Sequence, residues 1–532
     1  MKKIKLDYNK NKKYIFFAVI TGWIQVYLTY KGIRLSGELL NIFTKQSDGD
    51  LKIILFKMIS YLLLGFIFSI ISTKLSQTFS TKMTLELRLK YLKSFFNAPF
   101  KFFKEKDISN HLSIIDSDMD YLRINYLNNI PLAITEIGQA IIYIIGLVTI
   151  HPLIMLTAII VSIFPTIAGR LFVIPLSFFQ LKRSKTNAIY LRRLKEILEG
   201  FSIIKQSENE ESFLDDFKDK CEDRLNTARS INVFSRIMNE TLILLNIFSY
   251  IAIIFVGSYL VSRSEIKLGA LISSMTIVSI ATNCIAQSFR YFMELMSTRK
   301  LKDKILNSMN LGECNMKKQK LPMAQITLKD LSFSYGDVNI FKNLNLNIKK
   351  NNTYALIGKS GSGKSTIAKI LIGQLDNYTG KYQFKNGDRR DFNEKEILSL
   401  IYHMPQNPMI FDDSFENNIL MYSKFNEEKF KKVIEDAALA DVYYRLKGKN
   451  IDSLSLSGGE KNRISLARAL YKGVDVIIFD EPTAGLDPLN KKRIEDLIFS
   501  LKDVTKIVIT HNQDQQYLEK FDEVIRLEDY KE

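Results

Sequence analysis

The segment ALIGKSGSGKSTIAKILIG sets Gly358, Gly361 and Gly363 ahead of Lys364 and Ser365, between a short apolar run and a stretch whose apolar residues recur at helical spacing. Glycines so spaced let successive backbone N–H groups curl round phosphate oxygens at the positive end of the following helix. In that arrangement Lys364 reaches the β and γ phosphates, and the Ser365 hydroxyl ligates Mg²⁺. Further along, VDVIIFDEPTAGLD carries the apolar run Val476 to Phe479 into Asp480 and Glu481. A strand buried on both faces delivers such carboxylates to the C-terminal edge of a parallel sheet, where ligands bind. There Asp480 is suited to hold Mg²⁺ through water, and Glu481 to polarise an attacking water. Between these segments LSGGEKNRISLARAL opens a helix with Leu456, Ser457, Gly458, Gly459 and Glu460.

The elements that must position these residues begin late in the chain. After Ser297 comes a polar linker, then short alternating strands such as QITLKDLSFSY, so a soluble α/β domain starts near residue 325. Upstream the character is different. Ile137 to Gly169 carries no Asp, Glu, Lys or Arg and is broken only by His151-Pro152, which reads as a tight transmembrane hairpin. Thr241 to Val261 and Leu268 to Phe289 form a second, and Tyr14 to Tyr30 and Met58 to Thr73 are shorter apolar runs near the start. Six spans are expected, with outside loops at about 34 to 52, at His151-Pro152 and at about 262 to 267. The Lys-rich start, MKKIKLDYNKNKK, places the N-terminus in the cytoplasm, and no small-residue cleavage site of a secretory signal follows the first apolar run. Long charged connections poor in Gly and Pro join spans two to three and four to five, and each reads as a helix leaving the membrane and a helix returning. The division is thus a six-helix membrane domain over 1–300, a linker over 301–324 and an α/β phosphate-loop domain over 325–532.

Composition fits this division. A mean hydropathy near zero averages a very apolar half with a polar one, and a net charge of +17 suits either nucleic acid or the cytoplasmic flanks of membrane helices. A nucleic-acid enzyme has no need of six apolar spans, so the bilayer and not nucleic acid is the expected partner. Cys221, Cys284 and Cys314 lie far apart in no metal-ligand spacing, which leaves neither a disulfide scaffold nor a zinc site.

Taken together, GKSGSGKST, LSGGE, FDEP, GLD and a His511 that ends the strand TKIVITH resemble the ATP-binding cassette family, and the six-span half resembles that family's exporters. The resemblance implies ATP and Mg²⁺ as ligands, with Gly358, Lys359, Ser360, Gly361, Ser362, Gly363, Lys364, Ser365 and Thr366 round the phosphates. It implies that Tyr335 stacks on adenine and that Gln406, in YHMPQNPMIF, senses Mg²⁺ and the attacking water. Ser457, Gly458 and Gly459 match the signature that grips the γ-phosphate bound to the opposite subunit. Asp487 matches the residue communicating between the two sites, and His511 the switch that hydrogen-bonds the γ-phosphate. Two departures stand out. KGKNIDSLS lacks the usual Glu-Arg-Gly segment, and Glu460 replaces the common Gln.

By the same resemblance, short transverse coupling helices are expected around Asp107 to Ser113 and near Ser207 to Phe213. One membrane half and one cassette per chain call for two copies, a homodimer being preferred because every catalytic position is present. The intact half of a heterodimer with a related half-transporter, or an ATP-gated sensor or channel, is the alternative. Fusion of permease and cassette with long intracellular helices implies export, and amphipathic drugs, lipids and small or modified peptides are all candidate cargo. With about a dozen residues before the first span, the cysteine-peptidase domain of some peptide exporters is not expected. Lys57, Glu136, Gln139 and Arg170, in or beside the spans, are positions where polar groups face either a cavity or neighbouring helices.

Overall fold

The computed structural model describes residues 8–100, 108–309, 325–384, 387–451 and 455–530, without the side chains at 109, 165, 166, 168–174, 177, 180, 242 and 246. The chain divides into two compact units, Met1–Ala98 with Glu105–Glu313 and Pro99–Lys104 with Cys314–Glu532. The architecture is a helical region followed by a sheet-containing α/β domain.

Among its described residues the first unit is helical, its main helices being α1 (Lys12–Phe43), α2 (Leu51–Asn97), α3 (Ile108–Ser113), α4 (Asn129–Val148), α5 (Pro152–Glu199), α6 (Phe201–Ser207), α7 (Glu210–Ser262) and α8 (Leu268–Ser308). Two π-helical turns, Ile114–Asp118 and Arg123–Leu127, carry the chain from α3 towards α4. With 47, 48 and 53 residues, α2, α5 and α7 are far longer than the roughly 20 residues a span needs. Among the described residues, four helices are long and apolar enough to cross a membrane: Leu51–Asn97, Asn110–Val148, Glu210–Ser262 and Leu268–Ser308. Pro152–Phe164 is a shorter apolar helix, and the side chains after it are partly outside the described set. α1 does not reach that measure because polar residues dilute it, and two of these satisfy themselves locally. Thr21 donates to the Phe17 carbonyl at 2.7 Å and Thr29 to that of Gln25 at 2.9 Å.

The hairpins are tight. His151 caps α5 by accepting the Leu153 N–H at Nδ1, 3.2 Å away, and Pro152 fills the first helical position where no N–H is required. The other ring nitrogen of His151 lies 3.3 Å from Glu265 in the turn between α7 and α8, so the two hairpin tips meet at one end of the bundle. Small residues let helices touch: a Cβ on Gly37 of α1 or Gly269 of α8 would collide with the other's carbonyl. Asn41 then accepts the Gly269 N–H at 2.8 Å, satisfying an amide of the first turn of α8. The first outside connection is shorter than its sequence suggests, because α1 continues to Phe43.

The first short helix, α3, falls within the expected 107–113 stretch, though residue 107 lies outside the described residues. At the second expected place, near Ser207 to Phe213, the chain passes from α6 into α7. Gly200 ends α5, α6 occupies Phe201–Ser207, and Glu208 in a left-handed conformation (φ +53°) turns the chain into α7.

Among its described residues the second unit carries eleven strands: β1 (Gln325–Tyr335), β2 (Val338–Lys349), β3 (Thr353–Ile357), β4 (Thr379–Phe384), β5 (Gly387–Asp388), β6 (Ile401–Met404), β7 (Asp413–Ser414), β8 (Asn450–Ile451), β9 (Val476–Asp480), β10 (Thr505–Ile509) and β11 (Glu523–Arg526). Four form an antiparallel sheet in the order β2-β1-β4-β5, and five a parallel sheet in the order β11-β3-β10-β9-β6. β7 and β8 pair by themselves. The helices that matter for the site are α9 (Lys364–Leu371), α10 (Ala440–Leu446), α11 (Gly458–Lys472) and α12 (Pro488–Ser500).

Burial on both faces explains why the inner parallel strands β3, β9 and β10 are mostly apolar. Val476, Ile478, Ile507 and Ile509 face a core shared with Ile367 and Leu371 of α9. Ile477, Phe479 and Val508 face Leu466 and Ala469 of α11 and Ile494 and Ile498 of α12. With both faces covered, the free edge of the sheet for chemistry is the C-terminal one.

Candidate functional site

The loop 358–363 leaves β3 and enters α9 through three glycines of positive φ: Gly358 (+156°), Gly361 (+77°) and Gly363 (+95°). Gly363 needs its missing side chain twice over, since a Cβ there would lie 2.6 Å from Cγ2 of Ile340. Lys364 is buried, and its ammonium donates to the carbonyls of Gly358 (2.7 Å) and Lys359 (3.0 Å). Burial pushes its pKa down, and the nearby carboxylates of Glu481, Asp480 and Glu528 oppose that shift. The Lys359 N–H donates to Glu528 at 2.9 Å. The hydroxyl of Ser362 is buried and, among the described residues, has no partner. Ser365 and Thr366 follow in the first turn of α9, and Ser360 sits at the loop's exposed crest.

At the adjacent strand end, Asp480 closes β9 and Glu481 follows with a left-handed backbone, φ +50°. A non-glycine residue held there is strained, and its N–H is fixed on the Ile509 carbonyl at 3.0 Å. Gln406 donates to Oε2 of Glu481 at 3.1 Å, and Nε2 of His511 lies 2.9 Å from Oε1. Three residues separated by long stretches of sequence therefore meet on one carboxylate.

Ser457 is the N-cap of α11 in a reciprocal capping box: its backbone N–H and hydroxyl both donate to Glu460, at 2.8 and 3.0 Å. Gly458 lies beside Leu486, and Gly459 beside Asn490. Asp487 caps α12, accepting the N–H groups of Leu489 and Asn490 at 3.1 Å and the Asn490 side chain at 2.6 Å. The Asn490 backbone N–H, followed by its side chain, holds the Asp487 carboxyl below the usual carboxylate range. Among the described residues no hydrogen bond joins Ser457, Gly458 or Gly459 to the 358–366 loop of the same chain. Tyr335 ends β1 with its ring edge-on to Phe333 at 4.8 Å and 45% exposed, so one aromatic face is open to a flat ligand.

The loop fits a polyphosphate. A buried unpartnered hydroxyl (Ser362), an ammonium resting on its own loop's carbonyls, and a cradle that a Cβ would fill all have an anion of that shape as complement. The oxygen donors Ser365, Gln406 and Asp480 suit a hard cation that keeps most of its waters, as Mg²⁺ does. Consistent with few protein ligands, no cluster of three or more His, Cys, Asp or Glu able to hold a metal occurs among the described residues.

Three participants escape sequence reasoning because their partners are remote in the chain. His403 of β6 lies 3.4 Å from Asp480. Arg445 of α10 pairs with Glu460 at 2.5 Å, and Asn462 of α11 donates to the Pro482 carbonyl at 2.8 Å. The one available signal was for Arg445, since replacing the common Gln by Glu460 asks for a cation nearby.

In the first unit, Lys57 is exposed, while Glu136 and Gln139 of α4 are half-buried; Gln139 accepts from Cys284 at 3.4 Å. Arg170 lies outside the described side chains. A cavity of ≈ 470 Å³ opens between α7 and α8, lined by Arg236, Asn239, Glu240, Asn283, Gln287 and Arg290 among others.

Comparison with known proteins covers both units. Residues 13–284 match the family model "ABC transporter transmembrane region", and residues 341–484 match "ABC transporter". The lactococcin-A transport/processing ATP-binding protein of Lactococcus lactis subsp. lactis is 26% identical over 520 residues, 94% of this chain and 72% of that protein. The ATP-dependent lipid A-core flippase of Francisella tularensis subsp. holarctica is 34% identical over 195 residues, 35% of this chain and 32% of that protein. The solved structure of a bacterial Atm1-family ABC exporter with ATP bound superposes with a TM-score of 0.79 at 16% identity, covering 95% of this chain and 91% of that one.

Proposed function

This chain belongs to the ABC transporter family, as a multi-pass membrane protein whose cytoplasmic ATPase domain couples ATP hydrolysis to transport, and from that premise we propose that it exports peptides as a homodimer. The observation that carries the engine is the Glu481 carboxylate, gripped by Gln406 and His511 at the mouth of the phosphate loop. The 358–366 loop binds the phosphates, with the Lys364 ammonium turning from its own carbonyls to the β and γ oxygens. Tyr335 stacks on the base. Ser365, Gln406 and Asp480 are the residues that would hold Mg²⁺, which when bound neutralises phosphate charge. Glu481 takes the proton of the attacking water as its oxygen bonds to the γ-phosphorus and ADP leaves, while His511 contacts the γ-phosphate and Gln406 keeps Glu481 aimed.

Ser457, Gly458 and Gly459 are not bonded to their own loop, and they open a helix whose free N–H groups attract anions. We assign them to the γ-phosphate held by the second copy, with Asp487 beside them linking the two sites. ATP then closes two cassettes, and that closure is coupled to the membrane helices.

Peptide cargo is favoured over lipid for two reasons. The relative similar along 94% of this chain is a lactococcin transporter, whereas the lipid A-core flippase matches 35% of it. The cavity between α7 and α8 presents the amides of Asn239, Asn283 and Gln287, which match a peptide backbone better than an acyl chain. The test is uptake into inside-out proteoliposomes of a panel of labelled short peptides, fluorescent lipids and amphipathic drugs. ATP-dependent accumulation of peptides alone supports the proposal; lipid transfer between leaflets without peptide uptake refutes it.

A further inference from the structure

On the face of the parallel sheet towards α9, β6 follows the core residue Ile401 with a histidine, His403. His403 pairs in register with Ile478 of β9, so its side chain shares a face with Asp480, two residues further along that strand. The two side chains are 19% and 16% exposed, and Nε2 of His403 lies 3.4 Å from Oδ2 of Asp480. That nitrogen is closed off from solvent and, among the described residues, has no partner in hydrogen-bond geometry. A carboxylate only accepts, so the nitrogen facing it is the one that carries the hydrogen. A buried N–H 3.4 Å from a carboxylate but outside hydrogen-bond geometry is an interaction set to close when the carboxylate turns to meet it.

We propose that His403 is a positioning residue of the metal site: its Nε2–H fixes Oδ2 of Asp480 and leaves the other carboxylate oxygen for the Mg²⁺ side. This rests on Asp480 being the metal-side carboxylate, as assigned above. The imidazole acts by fixing the carboxylate's rotamer and lone pairs, and loss of a partner of that kind typically costs about 10–100-fold in metal affinity. A Val or Ile would fill the same strand position without a polar atom, so the histidine's role here is its N–H.

The experiment uses the full-length protein in nanodiscs and reads binding of a fluorescent, non-hydrolysable ATP analogue as Mg²⁺ is titrated. For His403→Leu we expect the half-saturating Mg²⁺ concentration to rise about 10-fold, with analogue binding in EDTA unchanged. His403→Gln, whose amide N–H has similar reach, should return within about threefold of wild type. Asp480→Asn serves as the reference. If it raises the Mg²⁺ requirement and His403→Leu does not, the inference is overturned while the assignment of Asp480 stands. If Asp480→Asn also leaves the requirement unchanged, the metal assignment fails and this inference with it. Should the leucine variant lose binding in EDTA, His403→Met, slimmer and unbranched, takes its place under the same two criteria.

Discussion

Nε2 of His511 lies 2.9 Å from Oε1 of Glu481, and Gln406 donates to the other oxygen of the same carboxylate at 3.1 Å. Two side chains from different loops thus fix a carboxylate whose own backbone is left-handed and pinned to Ile509. Such a residue is aimed before ligand arrives, which is what a base acting on a single water requires. Removing the imidazole should impair turnover more than binding. We expect His511→Ala to lower kcat for ATP hydrolysis about 10²-fold while the nucleotide Kd stays within about threefold, measured by phosphate release and by titration of a fluorescent analogue.

At Gly363 sterics and backbone both demand glycine. Its φ is +95°, and a Cβ would meet Cγ2 of Ile340 at 2.6 Å and Cδ1 of Phe341 at 3.2 Å, both on a strand with no room to yield. Gly363→Ala should cost about 1–2 kcal/mol of stability in the second unit and weaken nucleotide binding about 10-fold or more. Melting curves with and without ATP would separate the two effects.

Glu460 holds Ser457 through its N–H and hydroxyl and is itself held by Arg445, which is half exposed. A glutamine preserves the acceptor towards Ser457 and gives up only a solvent-screened ion pair, a change of less than about 1 kcal/mol. Alanine gives up the cap as well, about 1 kcal/mol more. The expected order of melting temperature and of ATPase rate is therefore wild type, then Glu460→Gln close behind, then Glu460→Ala. Equal loss in both variants would mean that the charge, not the cap, is what matters.

Asp487 gives a pH signature. Its folded pKa is lowered first by the Asn490 backbone N–H and then by the Asn490 side chain. A lowered carboxyl contributes stability that is present above its ordinary pKa of about 3.9 and lost as pH falls through the lower folded value. Asp487→Asn keeps an oxygen acceptor for the start of α12 but does not titrate. The melting-temperature advantage of wild type over Asp487→Asn should hold from pH 7 to about pH 4 and shrink below it.

The site was legible where chemistry demands contiguous spacing. A phosphate loop must place its glycines and lysine within a few residues, and a catalytic carboxylate must follow an apolar strand, so the 358–366 loop, Asp480 and Glu481 stand out in one dimension. Gln406 and His511 were found through the resemblance, and the structure brings them to Glu481. What the sequence hides is set by strand order: β6 lies next to β9 only because the parallel sheet runs β11-β3-β10-β9-β6, and that adjacency alone puts His403 on Asp480. Arg445 and Asn462 are hidden likewise, by packing between segments distant in the chain. The apolar hairpins are plain because lipid tolerates few charges, whereas the break between α6 and α7 turns on Glu208, a non-glycine residue in a left-handed conformation that its type does not announce.

The most direct test of the central claim, that Glu481 drives transport by activating water, is to reconstitute wild type and Glu481→Gln side by side and measure phosphate release and ATP retention in the same vesicles. We expect the variant to lose turnover by about 10²–10⁴-fold and to hold ATP in the closed pair of cassettes, with export abolished. Hydrolysis persisting in Glu481→Gln at a rate near that of wild type would contradict the claim and move the base elsewhere in the site.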